Sequence, residues 1–253
     1  MKKIWLFLPA LLLGGCTART PEMAAGYYTD DPAVMESGDA WKKAAAYDLY
    51  GAAEQFRDAH PEIRRLYDNK VQCPGKVSLL YDSRYLYVHA ELQDDDLVAE
   101  SDGDQVMLCN FGDVFEIFLK PADANHYWEI HISPKNQKLV LFYPGRGYHF
   151  LPSVGPRKKS PLPGLKSSVR LNGTLNRRMD KDRSWSVTVA IPLAELAAQG
   201  IGLKPGSRWK ILTARYNYSS HQPNRELTTC PQLKKLNFHA HEEYAELILK
   251  DAE

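Results

Sequence analysis

Short runs in which apolar and polar residues alternate dominate the chain. Every second side chain is apolar in residues 84–92 and 184–192, and residues 208–218 follow the same pattern less strictly. A period of two is typical of β-strands with one buried face. Six further runs have strand character, at 76–82, 113–120, 126–133, 138–143, 166–171 and 244–250. Helical pattern is limited to 41–47, 52–60 and 193–199. We therefore predict an all-β fold, an antiparallel two-sheet β-sandwich of about nine strands with minor short helices.

The N-terminus has the features of a bacterial lipoprotein signal peptide. A positively charged start precedes an apolar run at 4–13, which is too short to span a bilayer as a permanent helix. The run ends in Leu-Gly-Gly-Cys, which resembles the lipobox whose cysteine receives lipid, here Cys16. We predict a signal peptide at 1–16, a flexible tether at 17–36 and one domain at 37–253. The protein is expected to be exported and held on a bacterial membrane by lipid. The outer membrane is favoured because Thr17 is not the aspartate that retains lipoproteins at the inner membrane.

Composition, motifs and cysteine usage exclude several classes of function. Lysine and arginine number 32 against 31 acidic residues, so the net charge is +1 and no basic stripe indicates nucleic-acid binding. The chain has neither a glycine-rich nucleotide motif nor a nucleophile elbow. If Cys16 is lipidated, Cys73, Cys109 and Cys230 remain. An oxidising compartment favours one disulfide and one buried thiol among these three.

Residues 111–136, "FGDVFEIFLKPADANHYWEIHISPKN", hold the polar side chains with most site character. Glu116 lies on a strand with two apolar faces, and Glu129 and His131 share one face of the next strand. If the strands are neighbours, these side chains converge, and Arg215 is the expected counter-charge. The set is either a buried ion-pair network or a group that binds the hydroxyls of a ligand. A glycoside hydrolase that uses Glu116 and Glu129 as its two carboxylates is a further alternative.

The loop at 93–104, "QDDDLVAESDGD", is rich in acidic residues. Ca²⁺ binds several carboxylate oxygens and tolerates irregular geometry. The spacing does not match an EF-hand loop, and a solvated loop without an ion is the alternative. A structural calcium ion is expected at Asp94, Asp96, Asp102 and Asp104.

Six segments, taken in order, resemble the family 9 carbohydrate-binding modules and their DOMON-like relatives. They are residues 81–99, 112–121, 126–136, 172–196, 205–217 and 236–249, and they include a Gly-Thr-Leu-Asn segment that leads into Ile191-Pro192. The resemblance implies a jelly-roll-like β-sandwich that often binds the end of a glycan and often carries structural calcium. It places Glu116, Glu129 and Arg215 on recurring acidic and basic positions of the family.

The aromatic clamp of that family differs here. Phe111 holds the first clamp position in place of tryptophan, and Thr229 and Cys230 stand at the second. Other aromatic residues are candidates for a substitute platform: Trp128, Tyr143, Tyr148, Tyr216 and Tyr218. Trp185 and Trp209 are expected in the core. The expected binding set is Glu116, Glu129, Arg215, Phe111, Trp128, His131, Tyr148 and Tyr216.

These observations favour a non-catalytic, lipid-anchored protein that binds carbohydrate. It would hold a glycan near the membrane for polysaccharide-degrading partner enzymes. Besides the hydrolase, one alternative is a structural or assembly lipoprotein that has lost the sugar site. Another is haem binding, because DOMON-like relatives hold haem with Met and His ligands and Met107, His89 and His131 are available here.

Overall fold

The structure, a computed structural model, describes residues 20–28, 35, 38–52, 71–148 and 159–251. Its strands are β1 (Glu22–Tyr27), β2 (Ala46–Asp48), β3 (Gly75–Tyr81), β4 (Tyr85–Gln93), β5 (Val114–Pro121), β6 (Tyr127–Ile132), β7 (Lys138–Tyr143), β8 (Lys166–Asn172), β9 (Ser184–Pro192), β10 (Trp209–Asn217), β11 (Glu226–Cys230) and β12 (Ala245–Leu249). Short helices α1 (Gly38–Trp41) and α2 (Leu193–Ala197) complete them. The all-β prediction is confirmed. The signal peptide with Cys16, and nearly all of the predicted helix at 52–60, lie outside the described residues.

The twelve strands form one curled sheet of mixed direction. Their order is β7-β6-β5-β10-β12-β1-β3-β4-β9-β8, with β11 beside β10 and β2 beside β3. Strand β1 runs parallel to β12 through its first four residues and parallel to β3 through Gly26 and Tyr27. It therefore joins two groups of strands that are otherwise antiparallel. We call these the β5 half (β5, β6, β7, β10, β11 and β12) and the β4 half (β2, β3, β4, β8 and β9).

Strand β1 corrects the predicted domain boundary. Residues 22–27 lie inside the segment 17–36 that the sequence marks as a flexible tether, yet Met23 and Ala25 are fully buried. The segment is short and rich in alanine, and Tyr27 is its only member of the β-branched and aromatic residues that signal a strand. Its backbone pairs with both halves, which makes it part of the folded domain.

Both halves turn one face toward a common apolar core. The period-two positions of β4, β5, β9 and β10 supply it, as the sequence predicts, and Trp185 and Trp209 are each 1% exposed. Burying a large apolar side chain contributes roughly 1.5–3 kcal/mol, so this shared core holds the halves together. The core includes Leu79, Leu86, Val88, Ile117, Trp128, Ile130, Val187, Val189 and Ile211.

The outer faces of the two halves differ in chemistry. Loops at 105–111 and 231–244 cover the outer face of the β5 half, and a second apolar cluster lies beneath them. That cluster includes Leu108, Val114, Phe118, Leu139, Leu141, Leu212, Leu233, Phe238 and Tyr244. The outer face of the β4 half carries mostly polar residues. Within the described ranges, no helix is long and apolar enough to cross a membrane.

Candidate functional site

Glu116, Glu129 and His131 meet on the outer face of the β5 half, as the sequence predicts. Glu116 on β5 lies directly opposite His131 on β6, and Glu129 precedes His131 by one period of the same strand. His131 Nε2 lies 2.6 Å from Glu129 Oε1 and 3.3 Å from Glu116 Oε1. We call these three residues the acid–histidine cluster.

The acid–histidine cluster is closed to solvent. Glu116 is 2% exposed, Glu129 5% and His131 0%. Burial raises the pKa of Glu116 to about 8, against the opposing effect of His131, so this carboxyl carries a proton at neutral pH. Burial also acts against the charged form of Glu129, but the hydrogen bond and charge of His131 hold its pKa below the usual value. The cluster is thus a buried Glu129–His131 ion pair beside a protonated Glu116.

This closure decides what the cluster can do chemically. A sugar hydroxyl or a glycosidic oxygen must reach a carboxylate before it can be bound or protonated. The loop at 105–111 holds Cys109 above Glu116, and the partly buried Tyr216 packs with the surrounding apolar cluster. In this arrangement, Glu116 and Glu129 cannot act as the two carboxylates of a glycoside hydrolase. They also do not form an open sugar site.

Arg215 and Trp128, both predicted to bind sugar, lie on the opposite face of the β5 half. The register places Ala214 opposite Glu116, so Arg215 points into the interior. There its guanidinium donates to Asp94 at 2.8 Å, to Asn217 Oδ1 at 2.6 Å and to the carbonyl of Cys73 at 3.0 Å. Trp128 stacks on Trp209 in the core and is 1% exposed. Two predictions are therefore wrong: Arg215 does not neutralise Glu116, and Trp128 does not form a sugar platform. The alternation of side chains along β10 and β6 directs both residues into the interior.

The predicted aromatic residues do not form a clamp. Phe111 and Tyr148 are 44% and 45% exposed, and neither packs against another aromatic ring in the described part of the chain. Tyr216 packs against Phe238 beneath the guanidinium of Arg225. At the second clamp position, Thr229 and Cys230 are buried in β11. Neither can offer a surface to a sugar ring.

The four aspartates predicted to bind calcium are not brought together. Asp94 is engaged with Arg215, and Asp96 accepts a hydrogen bond from the backbone of Ser220 at 2.6 Å. Asp102 and Asp104 are exposed, and Asp104 accepts from the Lys138 backbone at 2.9 Å. Within the described ranges, the carboxylate, imidazole and thiol atoms that lie close enough to share one ion do not include this set.

The cysteines are also separated, and so are the two histidines named as haem candidates. Cys73, Cys109 and Cys230 are free thiols in the structure, so the expected disulfide is not formed. Cys230 lies in the main core and Cys109 in the loop over the β5 half. His89 stacks on Trp41 at the outer face of the β4 half, whereas His131 lies under the loops of the β5 half. The two histidines therefore cannot ligate one haem.

An open groove crosses the outer face of the β4 half. Its volume is about 510 Å³, within the range of small-molecule sites. Its floor is one row of residues that lie directly opposite one another on five strands, so their side chains share a face. With strands about 4.8 Å apart, the row is about 19 Å long. In order, it consists of Asp48, Lys76, Glu91, Ser186 and Arg170.

We call this groove, whose floor is the row of five residues, the β4 groove. Amides and an aromatic pair border the row. Gln93 on β4 and Asn172 on β8 lie at one side of the row. Both lie opposite Ser184 of β9, the strand between them. At the other side, the rings of Trp41 and His89 stack at 4.8 Å, and a small cavity lined by both adjoins Arg170 and Ser186. The sequence carries the signal for this surface in the polar positions of β4, β8 and β9. Strand order was needed to show that they align.

Comparison with known proteins bears on the fold. No model of a known protein family matches the chain, and no curated protein sequence matches it. Among solved structures, a candidate carbohydrate-binding protein from Bacteroides uniformis ATCC 8492 matches with a TM-score of 0.64 at 13% identity. The match covers 92% of this chain and 100% of that one.

Two further matches are structures of a family 9 carbohydrate-binding module from Caldicellulosiruptor kristjanssonii. The complex with cellotriose matches with a TM-score of 0.56 at 16% identity, covering 92% of this chain and 95% of that one. The complex with glucose gives 0.54 and 15%, covering 92% and 97%. At these identities the likeness concerns the fold. The chain has the fold of a family 9 carbohydrate-binding module.

Proposed function

We propose that this domain binds carbohydrate without catalysis and that the ligand lies in the β4 groove. The row from Asp48 to Arg170 carries the proposal, because it places two carboxylates, two cationic groups and one hydroxyl side by side along an open floor. Polyhydroxylated ligands need both kinds of partner at close spacing, since each hydroxyl donates one hydrogen bond and accepts others. The fold supports the ligand class, because two structures with this fold hold cellotriose or glucose.

The groove also offers apolar contact of the kind that sugars use. Pro74 and Leu171 contribute exposed apolar surface to its walls, and the Trp41–His89 stack adjoins its far side. The C–H faces of a pyranose pack against such surfaces while the hydroxyls reach the polar row. The site is shallow and open, so affinities in the micromolar-to-millimolar range are expected.

The proposal extends to the cellular setting predicted from the N-terminus. Lipidation at Cys16 would hold the domain on a bacterial membrane, with the outer membrane favoured, and retain glycan there for degrading enzymes.

A glycan array tests the proposal directly, using residues 16–253 with Cys16→Ser. Selective binding is expected, with follow-up by calorimetry on the strongest glycan. Glu91→Gln and Arg170→Gln should each weaken it about 10-fold or more, since a hydrogen bond to a charged group contributes roughly 1.5–3 kcal/mol. Both side chains are exposed, so the thermal midpoint should stay unchanged.

Two controls separate this site from its alternatives. Glu246→Gln changes an exposed glutamate on β12, outside the groove, and should leave binding intact. Glu116→Gln alters the acid–histidine cluster, and it should affect stability rather than affinity. Loss of binding in Glu116→Gln alone would move the ligand to the β5 half. Turnover of any bound oligosaccharide would overturn the non-catalytic assignment.

A structural or assembly role is the second candidate function. The observation that favours it is the closed cluster at the positions where the family carries its polar sugar contacts. If the glycan array is silent with wild-type protein, this role replaces carbohydrate binding. Crosslinking in intact cells would then identify protein partners at the membrane.

A further inference from the structure

The covered face of the β5 half brings a thiol to the acid–histidine cluster. One ligand atom each from Cys109, Glu116 and His131 lie within 4.8 Å of one another. Cys109 approaches from the loop at 105–111, whereas the other two side chains rise from neighbouring strands. Three separate segments therefore converge on one point beneath the surface.

The loop that carries Cys109 is fixed at its first residue and at Cys109 itself. Gln105 donates its backbone N–H to the Lys138 carbonyl at 2.7 Å, and its side chain pairs with the Val140 backbone. The hydroxyl of Tyr218 donates to the carbonyl of Cys109 itself at 2.6 Å. The thiol is thus held over the cluster by contacts that do not involve the cluster.

The polar groups within the cluster are incompletely matched. Two carboxyl groups and a thiol share one imidazole, and all but Cys109 are at most 5% exposed. Buried polar groups of this kind are costly unless a cation or hydrogen bonds compensate them.

We propose that Cys109, Glu116 and His131 bind a divalent transition metal ion of the zinc type. Thiolate, imidazole and carboxylate are the ligands that Zn²⁺ takes in proteins, and the thiolate favours it over Ca²⁺ and Mg²⁺. Around a tetrahedral zinc ion, ligand atoms lie about 3.2–3.8 Å apart. The 3.3 Å separation of His131 Nε2 and Glu116 Oε1 already falls in this range.

Small movements complete the site. The thiol must close from within 4.8 Å, and Glu129 must release its 2.6 Å contact with His131 Nε2. Glu129 then lies beside the ion as an adjacent carboxylate. The double charge of the metal ion compensates the buried carboxylates and the thiolate together. This site is on the half opposite the β4 groove, so it stands independently of glycan binding.

Metal titration of the full mature chain, with Cys16→Ser to remove the N-terminal thiol, tests the proposal. One Zn²⁺ per chain is expected by calorimetry, together with a higher thermal midpoint. Co²⁺ in its place should give a thiolate-to-cobalt charge-transfer absorption, which a hydrogen-bonded cluster without metal would not show. Cys109→Ser should abolish this absorption. It should also weaken Zn²⁺ binding beyond the ~10–100-fold that loss of an outer contact costs.

Cys73→Ser is the matched control, because Cys73 is another free thiol remote from the cluster. It should retain both the absorption and the zinc affinity. His131→Gln serves as a second ligand variant, to be read by Co²⁺ spectrum as well as by melting. The proposal is overturned if wild-type protein binds no Zn²⁺, or if Cys109→Ser and His131→Gln bind it as wild type does.

Discussion

Arg215 is a fully buried cation whose partners all lie inside the domain. It pairs with Asp94, which is also completely buried, and donates to Cys73 and Asn217. Burial raises the pKa of Asp94, and the guanidinium opposes that effect, so the charged pair depends on contact between the two residues. At this scale Arg215 is a structural residue that connects β10 with the end of β4.

Replacing Arg215 with methionine should destabilise the domain by about 3–5 kcal/mol, because Asp94 would remain as a buried charge without its partner. The double variant Asp94→Leu with Arg215→Met should recover part of that loss. Urea unfolding with an unchanged m-value measures both. Arg208→Met is the control, since Arg208 and Asp123 form an exposed pair at 3.0 Å that should contribute about 0–1 kcal/mol. Equal losses in the two single variants would contradict a structural role for Arg215.

Strand periodicity is the part of the fold that could be read from the sequence. The alternation in β4, β9 and β10 also assigns each side chain to one of two faces, and it groups Arg215 with Trp209 and Ile211. The alternation does not show which faces of two neighbouring strands lie on the same side of the sheet. That depends on the pairing register, and a register shift of one residue moves every side chain to the opposite face. The prediction that Glu116 and His131 meet is confirmed, because β5 and β6 are consecutive strands that pair. Arg215 was misplaced because β10 pairs with β5 across a long separation in sequence.

Three elements have too little pattern to be found at all. Strand β1 is rich in alanine, β2 has three residues, and β11 has five residues without a period-two alternation. Their positions are set by the open edges of longer strands, which is a tertiary effect. The β4 groove was missed for the same reason, because its row forms only when five strands align. The loop contact of Cys109 with Glu116 has no signal in local sequence.

Alternate side chains of β1 point into and away from the main core, and substitutions at neighbouring positions can test this. Ala25→Glu should place a charge in the main core and cost several kcal/mol, a large part of the ~5–15 kcal/mol typical of a domain. Ala24→Glu is the matched control, because the neighbouring side chain points to the other face and is only half-buried. Thermal melts and soluble yield measure the difference. Similar stability of both variants would restore the tether interpretation of residues 22–27.

At the scale of the whole molecule, the two halves divide the available functions. The outer face of the β5 half is covered by loops and an apolar cluster, so it suits a buried ion. The outer face of the β4 half is open and polar, so it suits an exchangeable ligand. Strand β1 lies between the halves and carries the chain toward the predicted lipid on Cys16.

The position of β1 sharpens the expected anchoring. With Cys16 lipidated and β1 starting at Glu22, five residues separate lipid from domain, and these span at most about 18 Å when fully extended. The domain would then stay close to the bilayer surface. Wild-type protein should incorporate a radiolabelled fatty acid and sediment with membranes, whereas Cys16→Ser should do neither and still fold. Inserting a long glycine–serine spacer after Thr17 should leave lipidation intact but increase the distance from a labelled lipid to a dye on the domain. Labelling that persists in Cys16→Ser would contradict the anchor, and an unchanged dye distance would contradict the short connection.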